Sequence, residues 1–323
     1  MIAQTSMCLL VALGTLALCP TWVQAQTAPA DLSKLSIEEL MNVRIESVSK
    51  FEQRVVEAPA SITIITSDDM KKFGYRNLPD ILRSVRGLYV NFDRNYNYLG
   101  FRGFSRPGDY DTRILVLIDG HRLNEAIFDS PGSGGDFILD VDLIDRVEVI
   151  RGPSSSLYGS SAFMGIINVK TKRGRDLEGF EVSGAGGRFS TYNGRLSYGN
   201  KFENGVELLL SGSGYGSDGD RRLSFKEFND PSTNNGIAEN KDGEYAPRFY
   251  GSLSYKGLSL AGGYIDRKKE IPTASFSTVF NANNYTIDKK GFVDLKYEHE
   301  FTNQLGIKTR VFYDDYYYRG NYV

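Results

Sequence analysis

From about residue 175 onward, apolar and polar residues alternate along the chain, and this period of two constrains the fold more than any other sequence feature. Val293, Leu295 and Tyr297, for example, are separated by single charged residues. Such segments have an apolar face that carries tyrosines and an opposite face that carries charge, which is typical of transmembrane barrel strands. The pattern predicts strands at 178–186, 189–199, 205–216, 247–256, 258–267, 293–301 and 305–313.

A soluble β-sandwich also alternates, so the connections between strands must distinguish the two folds. The links at 200–204, 256–257 and 302–303 are tight, whereas 217–246 and 268–289 are long and polar. From the second connection onward, long and short links take turns, as the outer loops and periplasmic turns of a barrel do. The sequence therefore favours the wall of an antiparallel barrel over a sandwich.

The chain begins with an apolar segment that is too short to cross a bilayer. This segment, residues 8–19, is followed by Val23-Gln-Ala25, which fits a signal-peptide cleavage site. We therefore predict a signal peptide at 1–25 and an exported mature protein; a lipoprotein site at Cys19 is less favoured, because the preceding leucine is large. Both cysteines, Cys8 and Cys19, lie in this segment, which leaves the mature chain without disulfides or thiol chemistry.

Composition argues against several classes of function. The chain of 323 residues has 38 Lys+Arg against 40 Asp+Glu, so it lacks the cationic excess of a nucleic-acid binder. Two histidines are too few for a multi-histidine metal cluster. We expect no catalytic residues, no metal ligands and no cofactor, and keep an exported hydrolase that uses Ser154 only as a distant alternative.

Between the leader and the alternating region, residues 58–173 predict a compact α+β unit. A β-branched strand ends at Thr66 and leads into a helix that Gly74 closes. A second helix at 78–86 and strands at 113–118, 145–151 and 166–171 complete it. The preceding leader, 26–57, contains a helix candidate at 32–41 and an alternating segment at 43–49.

Four blocks of this unit resemble the plug domain of TonB-dependent outer-membrane receptors. They are 58–66, Phe101-Arg-Gly-Phe104, 113–124, and 145–159 followed by Ile166-Ile-Asn-Val169. Val141 stands where the family usually has proline, and Met164 where it often has glycine.

The resemblance implies an α+β plug domain inside a transmembrane antiparallel β-barrel of about 22 strands, of which about seven are present here, so the chain looks truncated. The expected domains are a signal peptide at 1–25, a periplasmic leader at 26–57, a plug at 58–173 and the N-terminal part of the barrel at 174–323.

The resemblance also implies active transport of a small-molecule ligand, by default an iron–siderophore or similar metal chelate. The protein would be a monomer in the outer membrane of a Gram-negative cell, in contact with its lipid. An inner-membrane energy transducer of the TonB type would be its partner and would couple transport to the proton gradient. A passive porin or an adhesin-like ligand-binding barrel is the alternative.

Strand addition between the leader and the transducer suits an exposed alternating segment, so we predict the TonB box at Ile45, Glu46, Ser47, Val48 and Ser49. The family places arginines of the Arg-Gly-Phe and Arg-Gly-Pro blocks against carboxylates of the barrel wall. Arg102 and Arg151 match these arginines, so the resemblance implies barrel partners for them, which would lie beyond Val323. Together with Arg113, Arg146 and Glu148 they are the predicted plug–barrel contacts, and ordinary surface ion pairs are the alternative.

Two further sets complete the predicted site. The plug turns are predicted at Gly103, Asp119, Gly120, Gly152, Pro153, Tyr158 and Gly159. Apical loops that mix aromatic residues, arginine and asparagine are the candidates for contact with the ligand: Tyr89, Phe92, Arg94, Tyr96, Tyr98, Arg106 and Tyr110.

Overall fold

The computed structural model describes residues 44–45, 53–54, 61–105, 108–302 and 305–323. The predicted signal peptide, the helix candidate at 32–41, most of the predicted TonB box (46–49) and Arg106 lie outside these residues. In the leader, β1 (Arg44–Ile45) pairs with β2 (Gln53–Arg54) in antiparallel fashion, so Ile45 of the predicted box belongs to a short strand pair.

The next part of the chain, which we call the plug unit (residues 61–173), mixes short helices and strands. Its elements are β3 (Ser61–Thr66), α1 (Ser67–Phe73), α2 (Leu78–Arg83), β4 (Leu88–Phe92), β5 (Asn97–Phe101), β6 (Ile114–Ile118), β7 (His121–Arg122), β8 (Ile144–Arg151), α3 (Ser155–Tyr158) and β9 (Gly165–Thr171). None of the helices among the described residues is long and apolar enough to cross a membrane.

Helix α1 begins and ends where the sequence places its signals. Thr66 accepts a hydrogen bond from the Asp69 amide, and the Asp69 side chain accepts one from the Thr66 amide, which forms a capping box. Gly74 closes the helix in the left-handed conformation with φ of 68°. Helix α2 ends at Arg83, earlier than the predicted residue 86, because Ser84 closes it with a hydrogen bond to the Ile81 carbonyl.

Five strands form the central sheet of the plug unit in the order β3-β8-β9-β6-β7. Strands β6 and β9 are parallel, and the other neighbours are antiparallel. All five residues of β6 are buried, which explains its continuous apolar sequence. The helices pack on this sheet through buried side chains such as Met70, Ile81 and Leu82.

A second, larger sheet, which we call the wall sheet, follows the plug unit. It contains seven antiparallel strands in the order β10-β11-β12-β15-β16-β17-β18. Strands β13 and β14 form a separate hairpin in the long link between β12 and β15. The bounds are β10 (Gly179–Gly187), β11 (Thr191–Lys201), β12 (Glu207–Ser217), β13 (Arg222–Ser224), β14 (Ile237–Glu239), β15 (Glu244–Tyr255), β16 (Leu258–Glu270), β17 (Tyr285–Thr302) and β18 (Leu305–Asn321).

The two faces of the wall sheet differ as the alternation predicts. In β17, Val293, Leu295 and Tyr297 are exposed on the outer face. On the other face Phe292 and Asp294 are buried because the plug unit covers them. The inner face also contributes Leu209, Ala246, Tyr250 and Ile265 to the same hydrophobic core as the plug unit.

The structure departs from prediction in the segment 89–98, which we expected to be an apical loop. Strands β4 and β5 pair from Leu88–Phe101 to Phe92–Asn97 and form a hairpin. Its turn is organised by Asp93, whose carboxylate accepts hydrogen bonds from the amides of Asn95 and Tyr96. The mixture of aromatic, asparagine and charged residues did not predict this hairpin, because β-propensity depends on packing against neighbouring residues, which the local composition does not show.

Candidate functional site

Cations of the wall sheet hold the plug unit by its main-chain oxygens. Arg248 donates to the carbonyls of Gly135 and Phe137 at 2.7 and 2.9 Å. Arg267 and Arg310 each donate at 2.6 Å, to the carbonyls of Asn95 and Gly120. Lys296 donates to the carbonyl of Asp119. Bonds between charged donors and carbonyl oxygens are stronger than neutral ones, so these contacts stabilise the docked plug unit.

Side chains also pair across the same interface. The ammonium of Lys290 lies 3.0 Å from the Asp136 carboxylate, and His121 Nε2 lies 2.7 Å from Asp314 Oδ1. The guanidinium of Arg195, 1% exposed, lies 3.2 Å from Asp142. The interface is therefore polar and charged over much of its area, in addition to its apolar core.

Arg267 is the centre of the most buried part of this interface. Its side chain is 1% exposed and lies 2.6 Å from Glu244 and 3.5 Å from Asp288. The hydroxyl of Tyr96 donates to Asp288 at 3.0 Å, and the guanidinium of Arg267 lies 5.5 Å from the centre of the Tyr96 ring. Burial and the negative charge of Asp288 raise the pKa of Tyr96 above its usual range, so this phenol stays neutral and can donate.

Glycine lets the plug backbone approach this cluster. A Cβ atom added at Gly135 would lie 2.0 Å from Glu244 Oε1 and 2.9 Å from Arg267 Nε. A side chain at this position would push the two units apart, so the close approach requires glycine.

A cavity of about 390 Å³ opens between the plug unit and the wall sheet. Ser275 and Phe276, from the long link between β16 and β17, line it, so it lies on the side of the long links. Its lining is rich in tyrosine, from the plug unit and from β18 and its end: Tyr96, Tyr98, Tyr110, Tyr316, Tyr318 and Tyr322. Aromatic walls with a few polar groups are typical of small-molecule sites.

Two carboxyl groups of the plug unit have shifted pKa values in this cavity. Burial raises the pKa of Asp111 to about 8, although the Leu99 amide donates to its Oδ2 at 2.8 Å. Burial also acts to raise the pKa of Asp136, but the charges of Lys290 and Arg267 outweigh it and hold the pKa below its usual range. Asp136 is therefore a stable anion, whereas Asp111 can hold a proton near neutral pH.

Residues 54–166 match the model of a protein family described as the TonB-dependent Receptor Plug Domain. This region is therefore a plug domain of the kind found in TonB-dependent receptors. The plug unit is thus the plug domain of such a receptor, and the antiparallel wall sheet matches the barrel strands of this fold.

Two relatives are similar over part of their own length. The vitamin B12 transporter BtuB of Vibrio vulnificus is 34% identical over 174 residues, which cover 52% of this chain and 27% of BtuB. The iron-regulated outer membrane virulence protein of Vibrio cholerae is 33% identical over 133 residues, covering 40% of this chain and 20% of that protein. The matched region thus spans about a quarter of these relatives.

Solved structures share the fold at low sequence identity. The ferripyoverdine receptor of Pseudomonas aeruginosa superposes with a TM-score of 0.61 at 20% identity, over 84% of this chain and 36% of the receptor. The ferric-catecholate import receptor Fiu of E. coli gives a TM-score of 0.59 at 18% identity, over 83% and 40% of the two chains.

Three of the four arginines predicted to bridge the plug and the barrel pair with plug residues through their side chains in the described part of the chain. Arg146 lies 2.9 Å from both Asp145 and Glu148, and Arg113 pairs with Asp109. Arg151 donates to the Arg86 carbonyl and to Ser61, and Arg102 adopts a positive φ of 52°. A role for these residues and for Glu148 against the barrel remains a prediction.

Five of the seven predicted turn residues of the plug domain have a positive φ, and a turn role for the whole set stays a prediction. Asp119 and the glycines 103, 120, 152 and 159 all have positive φ, which glycine adopts at little cost. Asp119 also accepts a hydrogen bond from the Thr171 hydroxyl at 2.6 Å, which joins its turn to the end of β9. Pro153 lies two residues before the start of α3, and Tyr158 is the last residue of α3.

Of the predicted ligand-contact residues, Tyr96, Tyr98 and Tyr110 line the cavity. Tyr89 instead donates to the Ser105 carbonyl, and Arg94 pairs with Asp242 of the wall at 3.3 Å. Phe92 and Arg94 are not among the lining residues of this cavity, and Arg106 lies outside the described residues.

Sequence reasoning missed the wall cations that hold the plug. It identified the polar face of the alternating strands but gave no individual role to Arg248, Arg267, Lys290, Lys296 or Arg310. The charge of these residues was a usable signal. They lie on the inner face, where the alternation requires only polar residues, so a cation there indicates an additional role. Asp111 and Asp136 were missed because nothing local distinguishes them from surface carboxylates.

Proposed function

We propose that this chain is part of an outer-membrane receptor that actively transports a small-molecule ligand, an iron–siderophore or similar metal chelate by default. The inner-membrane proton gradient would supply the energy through a TonB-type transducer. The observation that carries the proposal is the plug domain docked on the inner face of the wall sheet, with a tyrosine-lined cavity on the side of the long links.

The geometry suits a plug that is held firmly and can still move. Exchangeable polar contacts, such as those of Arg248 and Arg310 with main-chain oxygens, can be replaced by water when the plug shifts. In an interface built only from apolar side chains, water could not replace the contacts that are lost when the plug shifts. Transport then requires work, because a ligand bound at nanomolar affinity, about −12 kcal/mol, leaves slowly unless its site is disrupted.

The names of the relatives support the ligand class. One relative is a vitamin B12 transporter, another is an iron-regulated outer membrane protein, and two superposed structures are receptors for ferripyoverdine and ferric catecholates. We assign the energy-coupling role to the segment Ile45–Ser49, which precedes the plug and whose first residue is the last residue of β1.

Energy dependence tests this function. In cells that depend on this receptor for ferric siderophores or vitamin B12, deletion of the transducer should abolish uptake and leave surface binding intact. Ile45→Pro should do the same, because proline removes the main-chain donor that strand addition needs. Leu32→Pro, in the same leader but outside the predicted box, is the matched control and should leave uptake unchanged.

The passive alternative makes the opposite prediction. A porin would sustain uptake without the transducer and after collapse of the proton gradient, and an adhesin-like barrel would bind ligand without importing it. Either result would refute active transport.

A further inference from the structure

The cavity between the plug domain and the wall sheet has an excess of acidic groups. Among its described lining residues, the carboxyl groups are those of Asp93, Asp111, Glu125 and Asp136, and the basic group is that of Lys290. Lys290 lies 3.0 Å from Asp136, so its charge is already neutralised. An anionic ligand would therefore meet carboxylates without an unpaired cation in this part of the lining.

Three of the carboxyl groups are committed to the protein itself. Asp93 accepts hydrogen bonds from two amides of its own turn and from the Tyr98 hydroxyl. Glu125 accepts from amides of residues 127, 128 and 130. Asp136 accepts from Lys290 and from the Gly134 amide. These groups hold loops in place and have little capacity left for a ligand.

Asp111 differs from the other three. It is 5% exposed, and its Oδ2 accepts from the Leu99 amide at 2.8 Å. Its Oδ1 is buried and has no hydrogen-bond partner within the part of the chain that the structure describes. An unpaired buried carboxyl oxygen costs free energy, which a donor supplied by a ligand would recover.

The aromatic lining points to the same kind of ligand. The ring faces of tyrosines attract cations, and within this cavity Lys290 already lies 5.4 Å from the centre of the Tyr316 ring. Tyr110, which precedes Asp111 in the sequence, stacks on Phe128 with ring centres 4.8 Å apart. This pair gives the cavity a rigid aromatic surface. Aromatic faces beside a carboxyl group bind an organic cation better than an anion of the same size.

We propose that this cavity selects a ligand bearing a positively charged nitrogen, an ammonium or a guanidinium, which binds the free oxygen of Asp111 against the tyrosine rings. This inference rests on the proposed function in one respect, because it takes the cavity as the ligand site of the receptor. It adds a charge class that the function alone does not specify.

Three indole probes of nearly equal size test the proposal on the full-length receptor in detergent micelles. Tryptamine is cationic, tryptophol is neutral and indole-3-acetate is anionic at pH 8. In equilibrium dialysis we expect tryptamine to bind at least about tenfold more tightly than tryptophol, as for other desolvated cation–carboxylate contacts. Indole-3-acetate should bind most weakly.

The pH dependence gives a second readout. The charged and titratable groups that face Asp111 are Asp109, Arg113, Asp136 and Tyr98, and burial raises its pKa to about 8. A carboxyl with this pKa is mostly protonated at pH 7 and mostly ionised at pH 9. Tryptamine, whose amine titrates near pH 10 like that of lysine, should therefore bind roughly tenfold more tightly at pH 9 than at pH 7.

Asp111→Asn should remove both the preference for tryptamine and its pH dependence, while the amide oxygen still accepts from Leu99. Asp109→Asn removes the same charge two residues away, at a group that pairs with Arg113, and should retain both, with the pH dependence moved to lower pH because the Asp109 charge raises the pKa of Asp111. Equal binding of the three probes, binding of none, or an unchanged Asp111→Asn profile would overturn the proposal. These outcomes can be distinguished from failure of the proposed function. That failure would appear as energy-independent uptake, whichever of the three probes binds.

Discussion

Arg267 shows how one side chain joins the two parts of the molecule. It belongs to a wall strand, yet its guanidinium contacts the Asn95 carbonyl of the plug, Glu244 of the neighbouring strand and Asp288 of the next. Each acceptor was taken out of water on folding, so the arrangement is stable only while the cation is present.

We predict that Arg267→Met destabilises the folded receptor by about 3–5 kcal/mol, the usual effect of removing one partner from a buried ion cluster. Urea unfolding in detergent micelles, followed by circular dichroism, measures the change. Arg76→Met is the matched control, because Arg76 is 86% exposed and its pair with Asp80 should contribute less than about 1 kcal/mol. Similar losses in the two variants would contradict the role given to Arg267.

At the scale of elements, helix α1 depends on a local signal. Its capping box satisfies amides at the start of a seven-residue helix that has little stability by itself. Helix α3 provides a contrast, because Ser154 occupies the equivalent position and makes no side-chain capping bond.

Thr66→Ala should therefore lower the free energy of unfolding by about 1 kcal/mol, because the Asp69 amide loses its acceptor. Ser154→Ala should have a much smaller effect, and the difference can be measured by urea unfolding of both variants. If the two substitutions cost the same, the capping box does not stabilise α1.

Local patterns of this kind account for what the sequence could predict. The alternation around Val293 and the signals at Thr66 and Gly74 act over a few residues, so helix α1 and the presence of the wall strands could be predicted. The start of β17 was wrong, because the strand begins at Tyr285 and its charged residues before 293 resemble a polar link. The bonds from Arg248 and Arg310 to the plug span more than 100 positions and depend on how two units dock. No local pattern encodes such a pairing, which is why the cations that hold the plug were missed.

For the whole molecule, the relation between the plug domain and the wall sheet matters most. Asn95 of the plug accepts a hydrogen bond from Thr286 of the wall at 3.0 Å, beside the tyrosine-lined cavity. Active transport as proposed requires such contacts to break in each cycle. A covalent link at this point should therefore arrest transport without preventing the ligand from binding.

We predict that Asn95→Cys combined with Thr286→Cys forms a disulfide under oxidising conditions and stops uptake, and that a reductant restores it. Both cysteines of the 323 residues fall in the predicted signal peptide, so no other thiol lies within residues 26–323 to compete with the engineered pair. Ser197→Cys with Ser211→Cys is the matched control, because these hydroxyls lie 2.7 Å apart within the wall sheet. Uptake that continues with the first pair oxidised would show that this contact does not need to open.

The attachment of the plug through its carbonyl oxygens has an evolutionary consequence. Every amino acid carries a carbonyl oxygen, so mutations at Asn95, Asp119 or Phe137 can change the side chain and leave the acceptor for the wall cation in place. A mutation of the wall cation, in contrast, removes the hydrogen-bond donor. These plug positions can therefore change in sequence more freely than the wall cations that bind their carbonyl oxygens.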